Sequence, residues 1–317
     1  MTESPSPSSP VLKAAFIKET ARELGADLVG LAAAAPVEHQ ERLLAWLADG
    51  CAGDMRYMGK NIERRLDPGQ LLPGARSIIV IAVNYGSDEP SRRNRPFRVA
   101  RYARGEDYHD YLRSMLERFR GRLRTVDSSL RGRICVDTAP FMDKYWAHRA
   151  GLGWPGKHTN LVSRTFGNWL LIGSLIIDRT VDKYDRPHPD HCGTCTACIE
   201  ACPTGAIERP YRLNAVKCIS YWTIETKADQ IPDHIAREMN RFVFGCDICL
   251  AVCPFNRFAR PSRHEVFRRL KIIDRLEDGR VDDLSDEASA AELAASPLNR
   301  PGLAGLKRNI AAARTAT

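Results

Sequence analysis

Eight of the ten cysteines fall into two runs, and that pattern constrains the fold more than any other feature of the chain. The first run is Cys192-x2-Cys195-x2-Cys198-x3-Cys202-Pro203. The second is Cys218, followed by Cys246-x2-Cys249-x3-Cys253-Pro254. This is the ligand pattern of a bacterial two-cluster iron–sulfur module, in which the cysteine before each proline serves the other cluster. Cys192, Cys195, Cys198 and Cys253 are therefore assigned to one 4Fe–4S cluster. Cys202, Cys218, Cys246 and Cys249 are assigned to a second. The two runs must fold back on each other for the crossed pairing to close.

Competing chemistries fit the spacing less well. Zinc sites take two separated C-x2-C pairs, not this longer run made twice. A disulfide framework suits a short secreted chain, and these cysteines are crowded into one stretch of a long one. A radical-SAM run needs C-x3-C-x2-C, and Gly205 stands where its third cysteine belongs. Gly193, Thr194, Thr196 and Gly205 keep the loops small enough for backbone N–H groups to point at sulfur, which helps set cluster potential. Cys51 and Cys135 stand apart and read as packed thiols.

At 317 residues the chain can bury a core in more than one domain. It carries no apolar run of membrane-spanning length. Residues 1–10 are rich in Ser and Pro and read as a disordered start without a targeting signal. A cytoplasmic protein is expected, since thiols stay reduced in that compartment, and closed clusters with a basic face are compatible with a monomer. The formal charge of +8 favours a polyanionic partner without proving one. Helices are expected over residues 11–25, with Leu12, Ala15 and Phe16 inward and Gly25 as the stop, and around Leu43, Leu44, Trp46 and Leu47. A third helix is expected from Tyr108 to Leu123. Ser77 to Tyr85 reads as a strand buried on both faces. Gly132 to Asp137 and Trp169 to Asp178 read as further strands. The expected layout is an α/β layer domain over 11–182, a cluster domain over 183–262 and a charged helical segment over 263–317.

About 180 residues of layered domain before the clusters is more than an electron wire needs. A redox site fed by the clusters is the better expectation. The densest stretch runs from Val136 to Trp169. Asp137 follows a strand and either caps a loop or, if burial raises its pKa, donates a proton. Gly151, Gly153, Pro155 and Gly156 form a tight loop beside the polar groups of Lys157, His158, Asn160 and Ser163. It matches neither a phosphate-binding loop nor a dinucleotide fingerprint. Arg92, Arg93, Arg95, Arg98, Arg101 and Arg104, with Phe97 and Tyr102 between them, form either a solvated loop or an RNA-facing stripe. Arg257, Arg260, Arg263, Arg268 and Arg269 add a second basic cluster.

Taken in order, GDMRYM (53–58), LLPGARSII (71–79), ARYARGEDYH (100–109), VDTAP (136–140), RAGLGWPGKHTNL (149–161) and both cysteine runs resemble the epoxyqueuosine reductases. These are cobalamin-dependent iron–sulfur enzymes of queuosine tRNA modification. The resemblance spans roughly Leu12 to Arg308 and rests on the order and spacing of the blocks. It implies a nitroreductase-like α+β domain that binds cobalamin, followed by a two-cluster ferredoxin-like domain. Electrons from the clusters would reduce the cobalt. The reduced cofactor would attack the epoxide of epoxyqueuosine in the tRNA anticodon loop, with Asp137 protonating the oxygen before water is lost. Lys157, His158, Asn160, Ser163 and Tyr108 would lie along the cofactor pocket. There is no D-x-H-x2-G motif, so no protein histidine is expected below the cobalt.

Two departures stand out. Asp143-Lys144 replaces an expected Glu-Arg pair, which changes a guanidinium to an ammonium. The chain also stops soon after Arg308, where many relatives continue into a helical-repeat module that helps hold tRNA. Two other readings remain at this point: a reductive dehalogenase-like enzyme acting on a small molecule, and a two-cluster electron-transfer protein. The electron donor is not legible.

Overall fold

The computed structural model describes residues 11–87, 95–280 and 287–315. The Ser/Pro-rich start and Arg92 and Arg93 of the basic run lie outside them. Four strands form an antiparallel sheet: β1 Leu28–Ala33, β2 Ser77–Asn84, β3 Gly132–Cys135 and β4 Leu170–Ile177, in the order β1-β2-β4-β3. The register pairs Leu28 with Ala82, Ser77 with Ile177, Asn84 with Leu170, and Cys135 with Ser174.

The continuous apolar run of β2 is explained by cover on both sides. Every residue of the strand is buried. Side chains alternate across a strand. Ile79, Ile81 and Val83 therefore meet one core while Ile78, Val80 and Ala82 meet another. The first face is covered by α1, Ala14–Glu23, and α2, Tyr108–Arg124, which contributes Leu112, Met115, Leu116, Phe119 and Leu123. The second is covered by α3, Asp143–Arg149, through Trp146 and Ala147, together with Phe141, Leu66 and Leu72. Each isoleucine buried this way contributes about 1.5–3 kcal/mol of transfer free energy. Gly30 is required on β1: a Cβ there would sit 1.9 Å from the Ala150 carbonyl oxygen, so α3 approaches the sheet at backbone distance.

The N-terminal helix is shorter than expected and is turned differently. Leu12 precedes it, bridging to Val181, and Ile17, Thr20 and Ala21 face the core while Ala15 is exposed. Gly25 stops it at φ +110°. The helix Gln40–Ala48 forms as expected but buries none of its residues. Its Trp46 Nε1 donates to the Leu213 carbonyl at 2.6 Å. Cys51 and Cys135 are buried, as packed thiols should be.

A third core is assembled from distant parts of the chain. Phe97, Val99 and Ala103 meet Ile219, Ile224, Phe242 and Phe244, and these meet Ile272, Leu276, Leu306 and Ile310. Phe242–Phe244 runs parallel to Arg98–Val99. Asn309 on the last helix, Gly302–Arg314, fastens the assembly by donating to the Thr223 and Val243 carbonyls at 2.8 and 2.9 Å. Residues from the layered domain, the cluster domain and the helical end thus share one interior. No helix among the described residues is long and apolar enough to cross a membrane.

Candidate active site and iron–sulfur centres

The two cysteine runs converge in two groups. Cys198 lies within electrostatic reach of Cys192, Cys195 and Cys253. These four, with Lys157, His158, His191 and Phe255, line a cavity of about 100 Å³. Cys249 senses Cys218 and Cys202, and Cys246 senses Cys218 and Cys249. Cys249 also senses Cys198, so the two groups lie side by side. Amide N–H groups point at sulfur: Ala206 N–H lies 3.3 Å from Cys202 Sγ, and Lys157 N–H is directed at Cys192. Gly193 and Gly205, at φ +50° and +60°, make the left-handed turns these loops need. Among the described residues, no three His, Cys, Asp or Glu side chains converge on a point a single ion would fill. The thiolates instead surround a space, and this donor set suits cubane clusters.

The Gly-rich loop belongs with the first cysteine group. Lys157 is buried, and its Nζ donates to the Gly193 carbonyl at 2.6 Å and the Cys195 carbonyl at 2.9 Å. His158 lines the same cavity. Burial, followed by the charge of Lys144, lowers its pKa to about 4, so it is a neutral imidazole. Both residues, expected along a cofactor pocket, line the cavity of the first cysteine group. Ser163 is buried in a turn, accepting from Thr165 N–H at 3.1 Å. Asn160 does face the expected site, accepting from Lys144 Nζ at 2.6 Å.

That site lies where α2, the loop after β3 and the start of α3 meet. Asp137 sits there with φ +43°, a left-handed conformation that aspartate tolerates better than most residues. Its side chain is 62% exposed, and Oδ2 lies 3.0 Å from His109 Nε2. Sequence reasoning missed His109. Asp107 caps α2 by accepting from His109 N–H at 2.9 Å, and the same oxygen lies 2.6 Å from His109 Nδ1. The cap therefore aims the imidazole at Asp137. Tyr108 stacks on the ring at 4.0 Å. The only available signal was the Asp-x-His spacing at a helix start.

Charge at the site differs from the expected raised acid. Burial alone would lower the His109 pKa, but hydrogen bonds to Asp107 and Asp137 outweigh it and push it up to about 9. Burial alone would raise the Asp137 carboxyl, yet the hydrogen bond from His109 and the charges of His109, Lys144 and Arg300 hold it below the ordinary value. At neutral pH the pair is a carboxylate beside an imidazolium, and the proton rests on histidine. The raised carboxyl is Asp143, pushed up to about 7 by burial and then by the charge of Asp137. Its Oδ1 is buried without a hydrogen-bond partner. Lys144, standing where a guanidinium was expected, donates to Asn160 and lies close enough to Asp137 for their charges to interact. Arg300, paired with Glu225 at 2.9 Å, and Tyr57 stand near Asp137.

Comparison with known proteins gives these features a lineage. Residues 191–256 match the family described as the 4Fe–4S double cluster binding domain. With the layered domain before it, the chain is an iron–sulfur oxidoreductase of α+β architecture. Residues 65–138 match the epoxyqueuosine reductase QueG domain DUF1730. The curated epoxyqueuosine reductase of Leadbetterella byssophila is 44% identical, over 93% of this chain and 96% of its own length. That of Pseudomonas aeruginosa is 36% identical, over 96% of this chain and 86% of its own length. The chain belongs to the epoxyqueuosine reductase family. A crystal structure of epoxyqueuosine reductase with an epoxyqueuosine-modified tRNA-Tyr stem loop is 28% identical, with a TM-score of 0.85, covering 94% of this chain and 80% of that one. The Bacillus subtilis enzyme, solved with an aspartate catalytic loop swung out of the active site, gives a TM-score of 0.84 at 27% identity over the same shares.

Proposed function

We propose that this chain reduces epoxyqueuosine to queuosine in the anticodon loop of tRNA, in the cytoplasm where tRNA resides. The observation that carries the reading is the Asp107–His109–Asp137 array, open to solvent at Asp137, in a chain that also carries a double-cluster module. Removing the epoxide oxygen as water consumes two electrons and two protons. Clusters held by Cys192, Cys195, Cys198 and Cys253 and by Cys202, Cys218, Cys246 and Cys249, with a cobalamin at this site, would supply the electrons. Lys144, Asn160 and Tyr108 are the side chains we assign to the cofactor's surroundings. His109 is not free to act as a ligand below a cobalt, because Asp107 and Asp137 engage both ring nitrogens.

The protein's own part is proton delivery. His109 holds a proton at Nε2 and passes it across the 3.0 Å hydrogen bond to Asp137 Oδ2, and the carboxyl then turns that oxygen to the substrate oxygen, the second proton coming from solvent. Asp107 fixes the ring and stabilises its charged form. The strained backbone of Asp137 places that carboxyl at the end of a loop able to meet a flipped-out nucleoside.

The test is anaerobic incubation of the holoprotein with an epoxyqueuosine-bearing stem loop and a low-potential reductant. Product nucleoside lighter by one oxygen supports the reading. Unchanged nucleoside, with about eight irons and one cobalt retained per chain, refutes it. Loss of corrinoid on gel filtration would remove cobalamin from the scheme.

A further inference from the structure

The two electrons consumed per turnover must enter from outside, and the structure offers one face for their entry. Cys195 is exposed, whereas Cys198 is buried and Cys202, Cys218, Cys246 and Cys249 are each only partly exposed. The route therefore runs from the first group inward. Around that group, His191 lines the cavity and stands 6.4 Å from both Phe255 and His188. Phe255 reaches outward to Phe258 at 6.2 Å. Phe258 and Val252 are each 41% exposed, which is unusual for large apolar side chains beside a redox centre. Arg257 lies over the Phe258 ring at 4.7 Å, and Arg164 is close enough for its charge to act on His188. The nearby acids are already engaged: Asp190 accepts from Cys192 N–H and Tyr211, and Glu200 from Thr196.

We infer that this face, with Phe258 and Val252 at its centre and Arg257 and Arg164 at its rim, is the docking surface for an acidic one-electron carrier protein that reduces the first cluster. Charge complementarity chooses the partner. The face is cationic on a chain of net charge +8, so it attracts an acidic carrier and repels basic ones. The exposed apolar centre suits close, transient contact with a redox group at a partner's surface. This inference rests on the proposed reaction for its need of two electrons, while its test reads cluster reduction alone.

The experiment uses the holoprotein and follows cluster bleaching by stopped flow, with flavodoxin hydroquinone as donor and reduced methyl viologen as a small control. In the native protein the flavodoxin rate falls as salt rises. Arg164→Glu with Arg257→Glu should cut it about tenfold and flatten its salt dependence. The viologen rate should not fall. Arg257→Gln and Phe258→Ser are milder changes at the same face, expected to act in the same direction with full iron content. Native flavodoxin rates in variants with full iron would overturn the inference. So would protection of the face by a tRNA stem loop, because that would make it a nucleic-acid surface.

Discussion

Replacing His109 with glutamine removes the imidazolium while keeping a hydrogen-bond donor of similar reach. The native ring is held at about 9 against an ordinary 6.5. That difference corresponds to roughly 3 kcal/mol of preference for the protonated ring. Solvent reaches 62% of the Asp137 side chain, and this screening leaves about 1–2 kcal/mol. Because the folded value is raised, the stabilisation is complete below pH 6.5 and is lost as pH rises through 9. The proton relay follows the same titration. It is loaded at neutral pH, and kcat should fall along a one-proton limb centred near pH 9. In His109→Gln, kcat should drop on the order of a hundredfold, the size expected for a lost proton-transfer group. The basic limb should vanish. Remaining turnover should rise toward acid, because only Asp137, held below the usual carboxylate range, is left to carry the proton. The assay is single-turnover conversion of the stem loop from about pH 6 to pH 10, with iron and cobalt content measured alongside. An unchanged basic limb, or kcat within about twofold of native, would refute the relay.

The other structural claims are open to equally direct tests. Cys253→Ser should disrupt the cluster of Cys192, Cys195 and Cys198, and Cys202→Ser the other, each leaving about four irons. If Cys253→Ser and Cys246→Ser gave the same residual spectrum, the crossed pairing would be wrong. Lys157→Gln loses charged donors to the Gly193 and Cys195 carbonyls, worth on the order of 2 kcal/mol. Chelator-driven iron release from the first cluster alone should quicken. Gly30→Ala forces a Cβ to within 1.9 Å of the Ala150 oxygen and should cost about 3 kcal/mol or more, seen as poor soluble yield. A normal melting profile for that variant would contradict the close approach of α3.

The parts of the site that were legible in sequence are those fixed by local chemistry. Cysteine spacing sufficed to bring Cys253 to the cavity lined by the first run, because each proline turns the chain toward the other group. The apolar run of β2 was legible as a doubly buried strand, but its antiparallel neighbours were not, since cover on both faces produces the same pattern in either arrangement. Asp137 was singled out by its block, while its ionisation depended on His109, 28 residues away, and could not be read. Lys157 and His158 were assigned by their neighbours in sequence. Only the fold reveals that the loop carrying them turns toward Gly193 and Cys195.

The third core has a bearing on how the protein is made. Phe97 and Val99 emerge from the ribosome early, yet the interior they join is closed by Leu306 and Ile310, far downstream. Ile219 and Phe244, beside Cys218 and Cys246, belong to the same interior. During synthesis the sheet and its two cores can form while this region waits. A chain still lacking the helix Gly302–Arg314 would leave the residues beside Cys218 and Cys246 without their packing and should be a poor recipient of iron.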